Sequence, residues 1–306
     1  NNEYRRILKG FFAVLKSGDP YLRFVFLTGV SRFSKISLFS DLNHLNDISL
    51  NRDYSSVCGI TEEELKSNFQ PEIEALSESE QLTYEETLEK LKQTYDGHLF
   101  IDGGVHVYNP FSLLNVFSDR MFFDYWFQSG TPTFLVQYLK KAHFYLPDLE
   151  NNVEIDLSSL NNFKVDVGSP IPILYQAGYL TLKSYNRRSG LYSLGYPNNE
   201  VKYGLIRNLL PSYSNLDETK VQRFVWQFYE KVCSGDVASF MQVISDLLAN
   251  IPYSSDSKDD VRWREQNYQI AVALIFQFMG MYTQTEVYSA KGRADCVVYT
   301  EHIIYI

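Results

Sequence analysis

A chain of 306 residues exceeds the size at which one apolar core usually stops growing, so two or three units are expected. Its 28 basic against 37 acidic residues give a formal charge of -9, which gives no support to a whole-surface attraction to nucleic acid and leaves only local basic patches for that purpose. Cys58, Cys233 and Cys296 are far apart and form no CxxC pair, so no zinc knuckle is encoded and a reducing cytoplasm is the simplest setting.

The chain opens with Asn1-Asn2-Glu3 leading straight into a helical pattern, from which a preceding region is expected. Tyr4, Ile7, Leu8, Phe11, Phe12 and Leu15 recur at three- and four-residue spacings, predicting a helix with one buried face that Gly18-Asp19-Pro20 stops. Leu22 to Leu27 is a short apolar run, the pattern of a fully buried strand in a parallel sheet, and open α/β sheets place ligands just beyond such strands. There Thr28 and Ser31 would orient a water or phosphate oxygen, with Arg32 or Lys35 neutralising its charge. The plainer alternative is that Thr28 and Ser31 cap the next turn and Arg32 faces water. No GxxxxGK[ST] segment and no apolar strand ending in Asp-Glu occurs, so a self-contained ATPase is excluded. A nucleotide site would draw only its sensing side from this chain.

Thr61 followed by Glu64 is a capping box, and Ser79 to Tyr95 reads as a second helix ended by Asp96-Gly97. Leu99 to Tyr108 is strand-like around Asp102-Gly103-Gly104, and Asn109-Pro110-Phe111-Ser112 opens a helix over Leu113 to Phe117. Thr131 is placed to cap a helix with Pro132 at its first position. Val153 to Phe163 reads as a polar connector. Pro170 to Leu174 starts a helix, and Tyr179 to Ser184 with Leu191 to Tyr196 forms a hairpin around Asn186 to Gly190. Helices plus a hairpin resemble a winged-helix module whose Arg187-Arg188 tip would touch a nucleic acid backbone, or else one that packs on its neighbour without nucleic acid. Lys183 lies close to these arginines in sequence.

Val201 to Leu210 is helical, and Pro211 to Asn215 is the best candidate boundary. Asp217 to Val232, Val237 to Leu248 and Arg262 to Gly280 are helical by period, and the apolar stretch from Ile270 to Tyr282 is too short to cross a bilayer. Two strands follow, Gln284 to Tyr288 and Cys296 to Tyr299, with a third from His302 that the sequence leaves unfinished. Asp295 stands just before an apolar run, so its carboxylate sits at a strand edge, where Mg2+ bridging to a phosphate could be held. Glu286 lies one strand earlier and faces either the same cation or the other side of the sheet. Glu265, near a helix start, is explained without function by the exposed N-H groups there, or else helps to place the ion. Were this the metal site of a Mg2+-dependent nuclease, it would also need an acid and a lysine two positions apart on the next strand, so that both point to the same face. Glu301 does not fit, because position 303 is Ile.

Taken together, Leu22 to Lys35, Tyr95-Asp96-Gly97, Tyr108 to Ser112, Gly130 to Leu135, Gln176 to Leu180, Tyr196 to Val201, Glu265 to Tyr268 and Gly292 to Asp295 resemble strings of a bacterial family that fuses an AAA-like ATPase to a C-terminal PD-(D/E)XK nuclease-like domain. The resemblance implies a multidomain fold of mixed α/β and α+β class. Residues 1-70 would be the C-terminal part of the ATPase core, a remnant of its P-loop sheet. Residues 71-211 would be a helical lid and winged-helix-like region, and 216-306 a restriction-endonuclease-like α/β domain. It further implies ATP and Mg2+ as cofactors and DNA as a partner, with a homo-oligomer left open and no membrane association. Thr28, Ser31 and Arg32 would sense nucleotide, Arg187, Arg188 and Arg293 would contact nucleic acid, Asp295 and Glu265 would be catalytic, and Asp295 and Glu286 would hold the metal. The family's P-loop lysine, Walker B acids and acid-x-lysine pair are not in this sequence. The readings that remain are a chain inactive as it stands but belonging to a Mg-dependent DNA nuclease, and a non-catalytic ATPase-linked interaction protein.

Overall fold

The computed structural model describes residues 2-29, 46-129, 133-142, 144-151, 153-161, 169-214, 216-249, 261-280, 282-289, 292-300 and 302-306. Helix α1 (Asn2–Ser17) forms where the apolar period predicts it, yet Ile7, Phe11 and Val14, one face at i, i+4 and i+7, are exposed. The buried strand expected over Leu22 to Leu27 is not formed. Those residues run without strand pairing, and Leu22, Phe24, Phe26 and Leu27 are exposed, Phe24 at 79%. A strand exists only through its ladder partners, and none of the described residues supplies one.

A first helical layer follows, comprising α2 (Glu62–Asn68), α3 (Gln70–Glu80), α4 (Tyr84–Tyr95) and α5 (Pro110–Asp119). The capping box at Thr61 and Glu64 is present as read. The helix expected from Ser79 is instead two helices, because a second capping box lies at Thr83. Glu86 N-H donates to the Thr83 hydroxyl at 3.2 Å, and the Thr83 N-H donates back to the Glu86 carboxylate at 2.8 Å. Gln81, with φ of 57°, turns the chain between them. Replacing Thr83 by Ala removes one of these partners and is expected to cost about 1 kcal/mol, read as a lowered denaturant midpoint at unchanged slope. Asn109 caps α5 through its side chain, accepting from the N-H groups of Phe111 and Ser112. The layer closes on its own apolar core, with Leu65, Ile73, Leu91, Tyr95, Leu113 and Tyr125 fully or nearly fully buried.

Beyond α6 (Thr133–Lys141) the expected polar connector contains β1 (Val153–Asp156) and α7 (Leu157–Asn161). Alternation puts Ile155 inside while its neighbours stay wetter, and the strand pairs antiparallel with β3. After α8 (Ile171–Gln176), β2 (Thr181–Asn186) and β3 (Leu191–Gly195) form the hairpin, giving a three-stranded sheet in the order β1-β3-β2. Helix α9 (Asn199–Ser214) continues through Pro211, where a break was expected. Buried Leu209, Leu210 and Tyr213 flank the proline and hold the last turn by packing.

The remainder is α10 (Val221–Cys233), α11 (Val237–Ala249), α12 (Val261–Phe278) and the antiparallel meander β4 (Tyr282–Ser289), β5 (Gly292–Tyr299) and β6 (Ile304–Tyr305). Helix α12 packs on both α9 and the meander, through an inner stretch in which Ile270, Ala271, Leu274 and Ile275 are buried. A second, larger core therefore runs from Leu99 through Leu205 and Phe228 to Phe276 and Val298. The architecture is mixed α and β, mostly helical with two small antiparallel sheets. Among the described residues no helix is long and apolar enough to cross a membrane.

Candidate functional site

Two of the segments singled out in the sequence meet at the junction of the two cores. Helix α4 ends at Tyr95, Asp96 caps it in extended conformation, and Gly97 reverses the chain at φ of +102°. A Cβ at Gly97 would lie 2.2 Å from the carbonyl oxygen of Pro197, so the absence of a side chain is what lets Tyr95-Asp96-Gly97 lie against Tyr196-Pro197-Asn198. Asn198 fastens the contact. Its amide donates to the Asp96 carbonyl at 2.8 Å, and its side-chain oxygen accepts the Val201 N-H at 3.0 Å at the start of α9. Glu200, almost completely buried, accepts from the Ser112 hydroxyl at 2.7 Å and from the Trp126 N-H at 2.9 Å. One carboxylate thus ties α9 to α5 and to the turn at Trp126.

Beside this junction lies an open cleft of about 1050 Å3 between α2, the end of α4, the segment 104-106, β2 and the start of α9. Asp96 lines it, 7% exposed, and its Oδ1 has no hydrogen-bond partner among the described residues. Burial raises the Asp96 carboxyl above its ordinary range, opposed by the Gly97 N-H and by the charges of His106 and Lys92. Lys183 lines the same cleft, and burial pulls its ammonium down while the Asp96 charge pulls it back up. His98, just behind, is buried against Trp126 at 5.5 Å between ring centroids. Burial and then Lys183 push its imidazole down to about 4, so it is neutral at physiological pH.

The described residues among those marked in the sequence fall in five places. Thr28 is exposed at the end of the unpaired apolar segment, whereas Ser31, Arg32, Lys35 and the cap expected at Thr131 lie outside the described residues. Arg187 and Arg188 are exposed at the β2-β3 tip, where the Asn186 side chain accepts the Arg188 N-H and holds the turn. Lys183, grouped with those arginines by sequence, instead faces the cleft beside Asp96. Glu265 is exposed near the start of α12. In the meander, Thr285 stands opposite Cys296, Val287 opposite Ala294 and Tyr288 opposite Arg293, and Glu286 and Asp295 are the residues between the first two of these pairs. The side chains of Glu286, Arg293 and Asp295 are outside the described set. Among the described residues no group of three or more His, Cys, Asp or Glu side chains is placed to hold a metal ion.

Comparison with known proteins adds three findings. Residues 1-39 match the model of a family described as Predicted AAA-ATPase. The chain is 34% identical over 306 residues, 99% of its length, to the "Uncharacterized protein in vnfD 5'region" of Azotobacter chroococcum mcd 1. It spans 57% of that relative's length. No solved structure matches it.

Sequence reasoning missed Asp96, His98, Asn198 and Glu200 as a set. Asp96, Asn198 and Glu200 stand in the strings Tyr95 to Gly97 and Tyr196 to Val201, but nothing in either string says that they meet, because the pairing spans 102 residues of chain and is made by a glycine's missing side chain.

Proposed function

We propose that the chain is part of an ATP-binding protein whose C-terminal helix and meander form a Mg-dependent nuclease-like unit acting on DNA. The reading is supported by the register of β4 and β5, in which Thr285 pairs with Cys296 and Val287 with Ala294, so that Glu286 and Asp295 would stand opposite each other, and by the helix bearing Glu265, which packs on this meander. Residues opposite one another on adjacent antiparallel strands belong to one face of a sheet. Mg2+ usually takes one or two carboxylates and completes its octahedron with waters and substrate phosphate, so an Asp and a Glu on neighbouring strands fit that ion. When bound, it would supply charge neutralisation at the phosphate and a more acidic water.

The chain's own residues carry the rest. Asp295 and Glu286 would fix the cation, Glu265 would orient the attacking water, and Arg293 one position from the strand start would attract the phosphate. Arg187 and Arg188 would bind DNA backbone away from the cleavage point. Nucleotide binding is supported by the match of residues 1-39 to the predicted AAA-ATPase family, with Thr28, Ser31 and Arg32 on the sensing side. A non-catalytic interaction protein is the second reading, favoured by the exposed apolar residues of α1 and of the segment from Leu22 to Leu27, which suit a contact surface.

The test is a cleavage assay on the full-length protein with Mg2+ or Mn2+, comparing wild type with Asp295→Ala and Glu286→Ala. A loss of about a hundredfold or more in each variant, with the circular dichroism spectrum unchanged, is the expected result. Cleavage that survives both substitutions removes these acids from the mechanism, and absence of cleavage in the wild type favours the interaction protein.

A further inference from the structure

The two apolar cores meet at a seam, and a carboxylate is buried in it. Glu200, 1% exposed, stands in the first turn of α9 next to Val201 of the larger core. Its donors come from across the seam: the Ser112 hydroxyl, beside Leu113 of the smaller core, and the Trp126 N-H, which follows Tyr125 of the smaller core while the Trp126 ring lies on the larger one. Both donors are uncharged, and the described residues give Glu200 no ion pair. The charges nearby do not neutralise it. Asp124 repels it, and Arg207 on α9 is held by Asp124 at 2.8 Å. From α4, Lys92 is engaged by Glu62 at 3.1 Å, Asp96 is a further acid, and the Tyr95 phenol is pushed up by burial. His98 behind them is neutral, and Asp119 at the end of α5 acts on Tyr125. Lys202 on α9 lies over the Tyr203 ring, and Lys140 on α6 reaches the far end of α9 at Ser212. Helix α12 meets Tyr203 and Arg207 near Gly280 and Phe278, with its charged residues at the opposite end. An ionised Glu200 is therefore a buried charge met only by neutral donors, which is costly, whereas a neutral Glu200 keeps both bonds because the Ser112 hydroxyl can turn to accept the carboxyl proton.

We propose that Glu200 is a pH-operated latch between the two cores: its neutral carboxyl holds the layer α2 to α5 against α9, and its ionised form lets that layer part while α10 to α12 stay folded. Other ties across the seam join uncharged groups and do not answer to pH. The Asn198 amide donates to the Asp96 carbonyl at 2.8 Å, and the Thr181 hydroxyl accepts from the Leu99 N-H at 2.7 Å. The layer that parts keeps a core of its own, with Leu65, Ile73, Leu91, Leu113 and Val116, so it can move as a cooperative unit. Burial sets the switching range, since it pushes the Glu200 carboxyl up to about 7, and opening returns it toward its ordinary 4.5. Opening is thus increasingly favoured as pH rises through that interval and levels off above it. The latch shares no residue with the nuclease reading and stands or falls separately from it.

Native-state hydrogen exchange of the full-length protein tests this at pH 5.5 and pH 7.5, corrected for intrinsic exchange rates and repeated over sub-denaturing urea, on the wild type and Glu200→Gln. Amides of α4 and α5 are expected to open more often than those of α10 and α12, and with a smaller urea slope, because only part of the buried surface is exposed. Their opening constant should rise about twentyfold from pH 5.5 to pH 7.5 in the wild type, the ratio for a carboxyl that titrates at about 7 closed and 4.5 open. In Glu200→Gln it should change by less than about twofold, since the amide does not titrate. Identical opening constants and urea slopes in the two sets of helices would mean that Glu200 acts only on unfolding of the whole chain, and would overturn the latch. A wild-type constant unchanged between the two pH values overturns it as well, as does a rise that persists in Glu200→Gln. The wild-type profile decides by itself should the variant fail to fold.

Discussion

Replacing Gly97 by Ala is expected to destabilise the protein by about 3 kcal/mol or more, a drop of roughly 5-10 °C in the thermal midpoint. Two costs add. The backbone at φ of +102° is one that L side chains rarely adopt. The new methyl would also lie 2.2 Å from the Pro197 carbonyl oxygen and 3.0 Å from its carbon, and these are backbone atoms that cannot rotate aside. Relieving the overlap means separating the Asp96 segment from the Asn198 segment, with loss of the hydrogen bond that joins them. Gly190 provides the internal control. It also has positive φ, at +72°, but nothing lies within 4 Å of the place a Cβ would take, so Gly190→Ala carries only the conformational cost of about 1 kcal/mol. Thermal melts of the two variants side by side separate strain from collision. Equal losses would show that Gly97 does not hold a close approach.

Glu200 is expected to make the protein less stable as pH rises from about 4.5 to about 7. Burial pushes its carboxyl up to about 7, against the Trp126 N-H and the Ser112 hydroxyl, and the neighbouring Asp124 pushes the same way as burial. The folded state therefore holds this proton across an interval in which the unfolded chain has released it. Its contribution is fully present below the unfolded value of 4.5 and is lost as pH climbs through the folded value, by on the order of 3 kcal/mol in all. Glu200→Gln is neutral at every pH and nearly the same shape, so its stability should not fall across that window. Its carbonyl oxygen can keep the Trp126 N-H, and the Ser112 hydroxyl can turn to accept from the amide. Denaturant unfolding at pH 5 and pH 7.5 measures the difference, and equal pH slopes in wild type and variant would remove Glu200 as the cause. The half-buried Asp124-Arg207 ion pair at 2.8 Å lies near Glu200, and a residual slope in Glu200→Gln would point to neighbours such as this pair.

Local chemistry was legible where a residue acts within a few positions of itself. Thr61 with Glu64, Asn109 before Pro110, and the hairpin turn at Asn186 were readable because each closes hydrogen bonds to backbone two or three residues away. The same kind of signal at Thr83 and Glu86 separates α3 from α4, but the apolar period of Leu82, Leu88 and Leu91 runs across that cap and by itself predicts one helix from Ser79. The apolar run at Leu22 to Leu27 shows the opposite failure. Composition marks residues that favour burial, but burial needs a partner surface, and here the described residues provide none.

The sequence by itself determined the helix period, the caps, the hairpin and the order of acidic residues toward the C-terminus, since each depends on spacing along one short stretch. Only the tertiary structure decided that Asp96 meets Asn198, that Glu200 is buried between two hydrogen-bond donors, and that Lys183 belongs to a cleft rather than to the arginine tip. Contacts between distant segments are set by which apolar faces close together and by whether a backbone may approach within a methyl's breadth, and neither is written in local spacing.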